Sequence, residues 1–453
     1  MAASARMVSS RSGPKKHPVV IDLGSAFIRC GFAGEPRPIH VVPSPIGGGG
    51  DGEGSARTEQ ECVEVLTGVL QRLYTESLQC RPRERRVVVC ESMVSPRPLR
   101  EAVAYVLFRY LQVPSLHMCA GPAPALFCTG ADTGMVLDIG RSEAHVVAVY
   151  RGATLTSSYA GVPLGCRAVQ ERVRELLVEE KEQAAGGDGG GARPLTSREL
   201  EDVTVRACLV PVGGVPSPDQ VSPMELMFAG HRRVVVSGAT RTTAAEQALF
   251  EGDEEGRSLA TLVLDCLKRC PRDCRRALVQ NVLVAGGGAL LPGLPARLAQ
   301  EIEALATAAA AQPLGSSEGY SWARAAVCGD PGGLCVVRVP VRRDNLVWTG
   351  ASIMASLGGI ADRSLTCEQY LARRGEGGGG VVAGLDVGFV RGLAVRGGGC
   401  CRGRCTQQQG FRLVRVFLAG IRFLSFFRML TVATKVWHWA AQAKTLLLFT
   451  PAT

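Results

Sequence analysis

Two stretches of this chain obey the same rule: an apolar strand ends on an aspartate and runs at once into a glycine turn. They are Val19-Val20-Ile21-Asp22-Leu23-Gly24-Ser25 and Met135-Val136-Leu137-Asp138-Ile139-Gly140-Arg141-Ser142. A strand that stops in Asp-x-Gly can wrap backbone N–H groups around a phosphate while its carboxylate faces a hydrated magnesium ion. Each turn is followed by a further β-rich stretch, 27–32 and 144–150. The repetition predicts two related lobes that close on one nucleotide from opposite sides. A third apolar strand, Asn281-Val282-Leu283-Val284-Ala285, opens into Gly286-Gly287-Gly288 and then a helical pattern over 294–305. Glycines there let the backbone approach a flat or charged ligand closely. Taken singly, each of these is also an ordinary strand-to-helix turn of an α/β protein.

In this order and spacing the three turns resemble the actin family, and the resemblance covers about 18–374. The stretch VVIDLGSAFIRCGFAGEPRP resembles the family's first phosphate loop, GMVLDIGRSEAHVVAVYRG the second, and NVLVAGGGALLPGLPARLAQEI the adenosine loop. DNLVWTGASIMASL and TCEQYLARRG resemble the last helices of the first lobe. Within the family, RERRVVVCESMVSPRPLREAVAYVLFRYLQVPS and SLATLVLDCLKRCP most resemble the actin-related subunits at the pointed end of dynactin. The expected fold is thus α/β and actin-like, two lobes around a central nucleotide cleft. The first lobe is expected at 18–126 and 335–374, the second at 127–334.

The resemblance also assigns roles. Asp22 and Asp138 stand at the two magnesium-facing carboxylates, and Gly24, Ser25, Gly140, Gly286 and Gly287 at the backbone cradle. Arg29 stands where actin has a phosphate-contacting lysine, a swap that keeps charge and changes geometry. His145 matches the histidine that helps to orient the attacking water. ATP or ADP with magnesium, held structurally, is the implied cofactor. Other positions depart from the pattern. Gly121 replaces the water-positioning glutamine, Arg141 an acidic residue, Thr204 and Val205 a Lys-Glu pair, and Asp344 the adenine-stacking lysine. Loss of a water-orienting group alone costs on the order of a hundredfold in rate, so hydrolysis is expected to be negligible.

The main departure is the stretch IGGGGDGEGSARTEQ at 46–60, whose six glycines and scarcity of apolar residues allow only a loop. In actin this interval is several times longer and folds into a small subdomain that reaches the next protomer. The resemblance therefore implies a non-catalytic cap on the pointed end of the filament of actin-related protein 1. Such a cap docks other dynactin subunits and serves dynein-based transport in the cytoplasm. Two other readings stay open: an active ATPase of the actin, heat-shock and sugar-kinase superfamily, and a nuclear actin-related subunit of a chromatin remodeller.

The 453 residues, 46% of them hydrophobic, suffice for two full cores. The net charge of +10 would suit nucleic acid or an acidic partner, but much of the excess lies in the ends, at Arg6 to Lys16 and Arg391 to Lys444. Such tails are commonly solvated, so no nucleic acid is expected. The 17 cysteines with no leading secretory signal predict reduced thiols in the cytosol. Cys266, Cys270 and Cys274 share a spacing of four but are interrupted by Pro271, and read as buried small apolar residues rather than a zinc site. Residues 1–17 and 375–453 read as disordered, the latter a low-complexity and then basic-apolar tail. No uncharged run there is long enough to span a membrane.

Overall fold

The structure is a computed structural model and describes residues 16–47, 58–185, 193–213, 220–310, 320, 322–329 and 333–375. The expectations for the basic start up to residue 15, for the tail beyond residue 375 and for most of the glycine-rich stretch fall outside these residues. All described residues belong to one compact unit, Met1–Leu393.

The first lobe opens with β1 (Val19–Leu23), β2 (Phe27–Phe32) and β3 (His40–Pro43), then α1 (Glu59–Arg72), β4 (Val87–Glu91), α2 (Arg97–Tyr105) and β5 (Ser115–Ala120). The second contains β6 (Gly134–Ile139), β7 (Ala144–Tyr150), β8 (Ala153–Val162), α3 (Cys166–Ala185), α4 (Ser197–Ala207), β9 (Met224–Phe228) and β10 (Arg232–Val236). It continues with α5 (Gly238–Leu249), α6 (Leu259–Arg269), α7 (Arg272–Val279), β11 (Val282–Ala285), α8 (Leu294–Ala310) and α9 (Arg324–Val327). The chain then returns to the first lobe as α10 (Leu346–Ser356), β12 (Leu365–Thr366) and α11 (Cys367–Gly375).

The two main sheets are variations on one plan. In the six-stranded sheet, order β12-β5-β4-β1-β2-β3, the strands β1, β2 and β3 form an antiparallel meander and β4 lies parallel on the free side of β1. In the four-stranded sheet, order β11-β6-β7-β8, the meander is β6, β7 and β8, and β11 lies parallel to β6. A parallel strand needs a long crossover. Residues 59–72 and the helices between β8 and β11 supply it, and they cover one face of each sheet.

Alternation along β1 and β4 divides the first core in two. Val19, Ile21, Val87 and Val89 pack toward α1 and α2, whereas Val20, Val88 and Cys90 pack against Trp348, Ala351 and Met354 of α10. This is the period of two that a sheet covered on both faces demands. Trp348 is fully buried and its Nε1 donates to the Val20 carbonyl at 3.0 Å. Truncating such a side chain costs about 3–5 kcal/mol. A Cβ on Gly350 would lie 1.9 Å from the Pro124 carbonyl oxygen, so α10 meets the turn before the second lobe backbone to backbone.

Apolar residues at three- and four-residue intervals predict helices over 61–78 and 98–111, and the pattern of the returning segment predicts one over 351–357; all three have other boundaries in the structure. The helix expected from Glu61 starts at Glu59, because Thr58 and Glu61 form a reciprocal capping box. The helices expected to run to Leu78 and Leu111 stop at Arg72 and Tyr105, and each widens into a π turn, Leu73–Ser77 and Val106–Tyr110. Both turns end on a left-handed glutamine, Gln79 (φ 47°) and Gln112 (φ 54°), with the same closing bonds: Leu78 N to Leu73 O at 2.8 Å and Leu111 N to Val106 O at 3.0 Å. Finally, α10 begins at Leu346 rather than Ala351. It is buried almost all round, so its apolar residues show no helical period.

Candidate functional site

The matching plan of the two sheets brings their aspartates to corresponding places. In the β1–β2 hairpin Asp22 lies opposite Arg29, and in the β6–β7 hairpin Asp138 lies opposite His145. The two pairs face one cleft of about 640 Å³. Every residue singled out from the sequence as a ligand contact lines it: Asp22, Gly24, Ser25, Arg29, Asp138, Gly140, His145, Gly286 and Gly287.

On the first-lobe wall, Asp22 Oδ2 lies 3.4 Å from Arg29 Nη1. Burial raises the Asp22 carboxyl to about 6. Arg29 opposes the rise and the charge of Asp138 adds to it. A buried carboxyl whose ionisation is opposed by a second carboxylate across the cleft is a place where a cation would be welcome. The turn that follows Asp22 is sterically fixed: a Cβ on Gly24 would meet Phe27 O at 2.6 Å.

On the second-lobe wall, Gly140 N donates to Glu143 O at 2.9 Å and closes the turn. Gly286 has φ +91°, and a Cβ there would lie 2.3 Å from both Asp138 Oδ1 and Ile139 O. Only glycine satisfies both demands. His145 is buried, and neither ring nitrogen has a hydrogen-bond partner. Its Nδ1 is 4.0 Å from Glu143 Oε1, and its ring stands 6.0 Å from that of Tyr159. Arg29 Nε is likewise buried and unpartnered. Buried polar atoms of this kind are costly unless water or a ligand satisfies them.

The positions that depart from the family pattern line the same cleft: Gly121, Arg141, Thr204, Val205 and Asp344. Gly121 is more than a missing side chain. It has φ +61°, and a Cβ would sit 2.4 Å from Met93 Cγ, so Met93 occupies the space into which a longer residue would project. Asp344 is engaged by Arg342 through two bonds, of 3.1 and 3.0 Å. Val205 is 72% exposed.

Sequence reasoning missed Glu91, Glu143 and Glu201, all of which line the cleft. Glu91 was findable, because Val87-Val88-Val89-Cys90-Glu91 is again an apolar strand that ends on an acid. It is buried and its Oε1 lies 2.9 Å from Arg100 Nε. Glu143 was hidden in a turn, and Glu201 is one charge among several on α4. Among the described residues no group of three or more His, Cys, Asp or Glu could hold a metal by itself. A cation at Asp22 and Asp138 would need further oxygens from a ligand or water. Cys266, Cys270 and Cys274 are buried; Cys270 Sγ donates to the Cys266 carbonyl at 3.2 Å and Cys274 Sγ to Pro271 O at 3.1 Å. The described cysteines are free thiols.

A two-lobed α/β fold with paired Asp-Gly turns across a cleft defines an actin-like protein. The sequence profile of actin matches residues 60–186 and 221–376, more than half of the chain, and the chain belongs to the actin family. It is similar to actin-like protein 7A of Mus musculus, with 25% identity over 383 residues, 76% of this chain and 78% of that protein. It is also similar to actin-like protein 7A of Homo sapiens (24% over 384 residues) and Macaca fascicularis (24% over 382), at the same shares of each chain. No helix among the described residues is long and apolar enough to cross a membrane.

Proposed function

We propose that this chain is a non-catalytic actin-related subunit that caps the pointed end of a filament of actin-related protein 1 within dynactin, in the role of actin-related protein 10. As such it docks other pointed-end subunits and supports dynein-based transport in the cytoplasm. The observation that carries the reading is the passage from β3 to α1. Only Ser44–Thr58 separates a strand of the sheet from the capped start of α1, and this stretch is rich in glycine. An insertion able to receive a further protomer needs buried area, roughly 800 Å² on each partner for a stable contact, and so short a bridge cannot supply a folded surface of that size. The segments 83–115 and 258–271 carry the closer resemblance to the dynactin subunit.

The cleft supports nucleotide as a structural pin. At the phosphate end the residues fit: the Gly286 turn leaves room for no side chain, while Arg29 Nε and both His145 nitrogens lack protein partners. Asp22 and Asp138 would face the magnesium, whose charge would offset the burial that raises Asp22, and the glycine turns would hold phosphate oxygens. The nucleoside end fits less well, since Thr204, Val205 and the Arg342-bound Asp344 present no cation to clamp a base. With Met93 standing where a water-orienting group would project, turnover is not expected.

The unpaired ring of His145 favours one other reading, an ATPase of the actin, heat-shock and sugar-kinase superfamily. A single-turnover assay with magnesium ATP separates the two, and turnover at the rate of actin would overturn the non-catalytic reading. Affinity purification from cytosol tests the partner. Dynactin subunits are expected in the eluate, and a chromatin-remodelling complex in their place would reject the cap.

A further inference from the structure

Strands β1, β4 and β5 run parallel and deliver Asp22, Glu91 and Gly121 to the cleft at their C-terminal ends. Their N-terminal ends therefore gather on the far side of the lobe, and that side is rich in arginine. Val19 N donates to Arg86 O at 2.8 Å, which fixes the 81–86 segment beside residues 16–18. Arg85 is used by the fold: it donates to His17 O at 2.9 Å and lies 4.5 Å from the centre of the Phe32 ring. The cations around it are less engaged. Lys16 and Arg81 share the single carboxylate of Glu84, Arg81 at 3.8 Å. Arg83, Arg86 and Arg109 are exposed and have no ion-pair partner among the described residues. Arg109 and Tyr110, the latter 56% exposed, precede β5 at this same end. Leu371, 38% exposed, follows β12, which pairs with β5 there.

We propose that this end of the first sheet is a docking surface for an acidic segment of a partner protein. Five cations, Lys16, Arg81, Arg83, Arg86 and Arg109, outnumber the carboxylates of Glu84 and Glu368 at this end, and three of the five have no ion-pair partner among the described residues, so an external anion would find unspent positive charge here. All but one are arginines, whose planar fork matches a carboxylate with two bonds. The exposed Tyr110 and Leu371 offer apolar contact beside the charge, the mixture of arginine and aromatic residues found where protein interfaces concentrate their energy. A nucleic acid, with one charge per about 1.7 Å of duplex, would press phosphates against Glu84 and Glu368 as well. A polypeptide can space its acids to avoid them. The inference is independent of the cap and of the cleft.

The test uses the full chain and three probes: a fluorescein-labelled copolymer of glutamate and tyrosine, oligo-dT, and phosphatidylserine vesicles. The copolymer is expected to bind best, more weakly as salt rises. The triple change Arg83→Glu, Arg86→Glu and Arg109→Glu should weaken it by on the order of tenfold or more. The charge-matched control Arg167→Glu, Arg198→Glu and Arg324→Glu on the second lobe should keep most of the affinity. If the reversal lowers the melting temperature, the neutral changes Arg83→Gln, Arg86→Gln and Arg109→Gln carry the same test. No copolymer binding, equal loss in the control, or tighter binding of oligo-dT or vesicles would overturn the proposal.

Discussion

The turn after β1 and the bridge after β3 touch each other and are built on opposite rules. The turn is held on all sides: Asp22 is registered against Arg29, and Gly24 leaves no space for a methyl group before Phe27 O. The bridge from Ser44 to Thr58 carries six glycines and few apolar side chains, and its first glycine presses on the turn, since a Cβ on Gly47 would lie 2.1 Å from Ser25 O. The difference teaches what each job requires. A phosphate cradle needs a few atoms fixed to fractions of an ångström, which sterics alone can secure. A surface that receives another protomer needs area, and a short glycine-rich stretch offers little.

The largest effect should come from the glycine turn that follows β11 in the second lobe. Gly286→Val places a Cβ within 2.3 Å of Asp138 and Ile139 at a φ of +91°. It is expected to cost about 3 kcal/mol or more, read as a fall in melting temperature. An unchanged melt would mean that the turn is not rigid. Gly47→Ala comes next, at about 1–3 kcal/mol. If bridge and turn are coupled as described, it also shrinks the thermal shift produced by magnesium nucleotide; a full shift would uncouple them.

Smaller still is the effect of Asp138→Asn on the protein without ligand. Removing a charge that opposes ionisation of Asp22 should leave the melting temperature unchanged or slightly higher. The stabilisation that the native chain is expected to gain from magnesium ATP should be absent in the variant, and a variant stabilised as much as the native chain would take Asp138 out of the proposed cation site. The smallest change is expected from Gly121→Gln, which should yield no ATP turnover, because Met93 occupies the space the side chain would enter. Turnover in that variant would show that the loss was a single residue deep.

Much of this was legible along the chain. The two Asp-Gly turns were visible because an apolar strand that stops on an acid is rare without a reason, and the strands 27–32 and 144–150 lie where the pattern put them. The pairing of Asp22 with Arg29 and of Asp138 with His145 was not, since hairpin register depends on how many residues the turn consumes. Neither was the role of Met93, because one exposed-looking methionine carries no period. The π turns escaped for a similar reason: Leu73–Ser77 and Val106–Tyr110 keep their apolar residues near a helical spacing while the backbone widens.

The central claim is that the bridge makes the protein a terminator, and filament length measures it directly. An actin-length insertion placed between Gly47 and Thr58 keeps the capping box of α1 and the contact with Ser25. Filaments of actin-related protein 1 assembled with this graft, sized by negative-stain microscopy, are expected to be longer than those assembled with the native chain. A graft that folds, binds filament ends and leaves the length distribution unchanged would contradict the account and place capping on another surface.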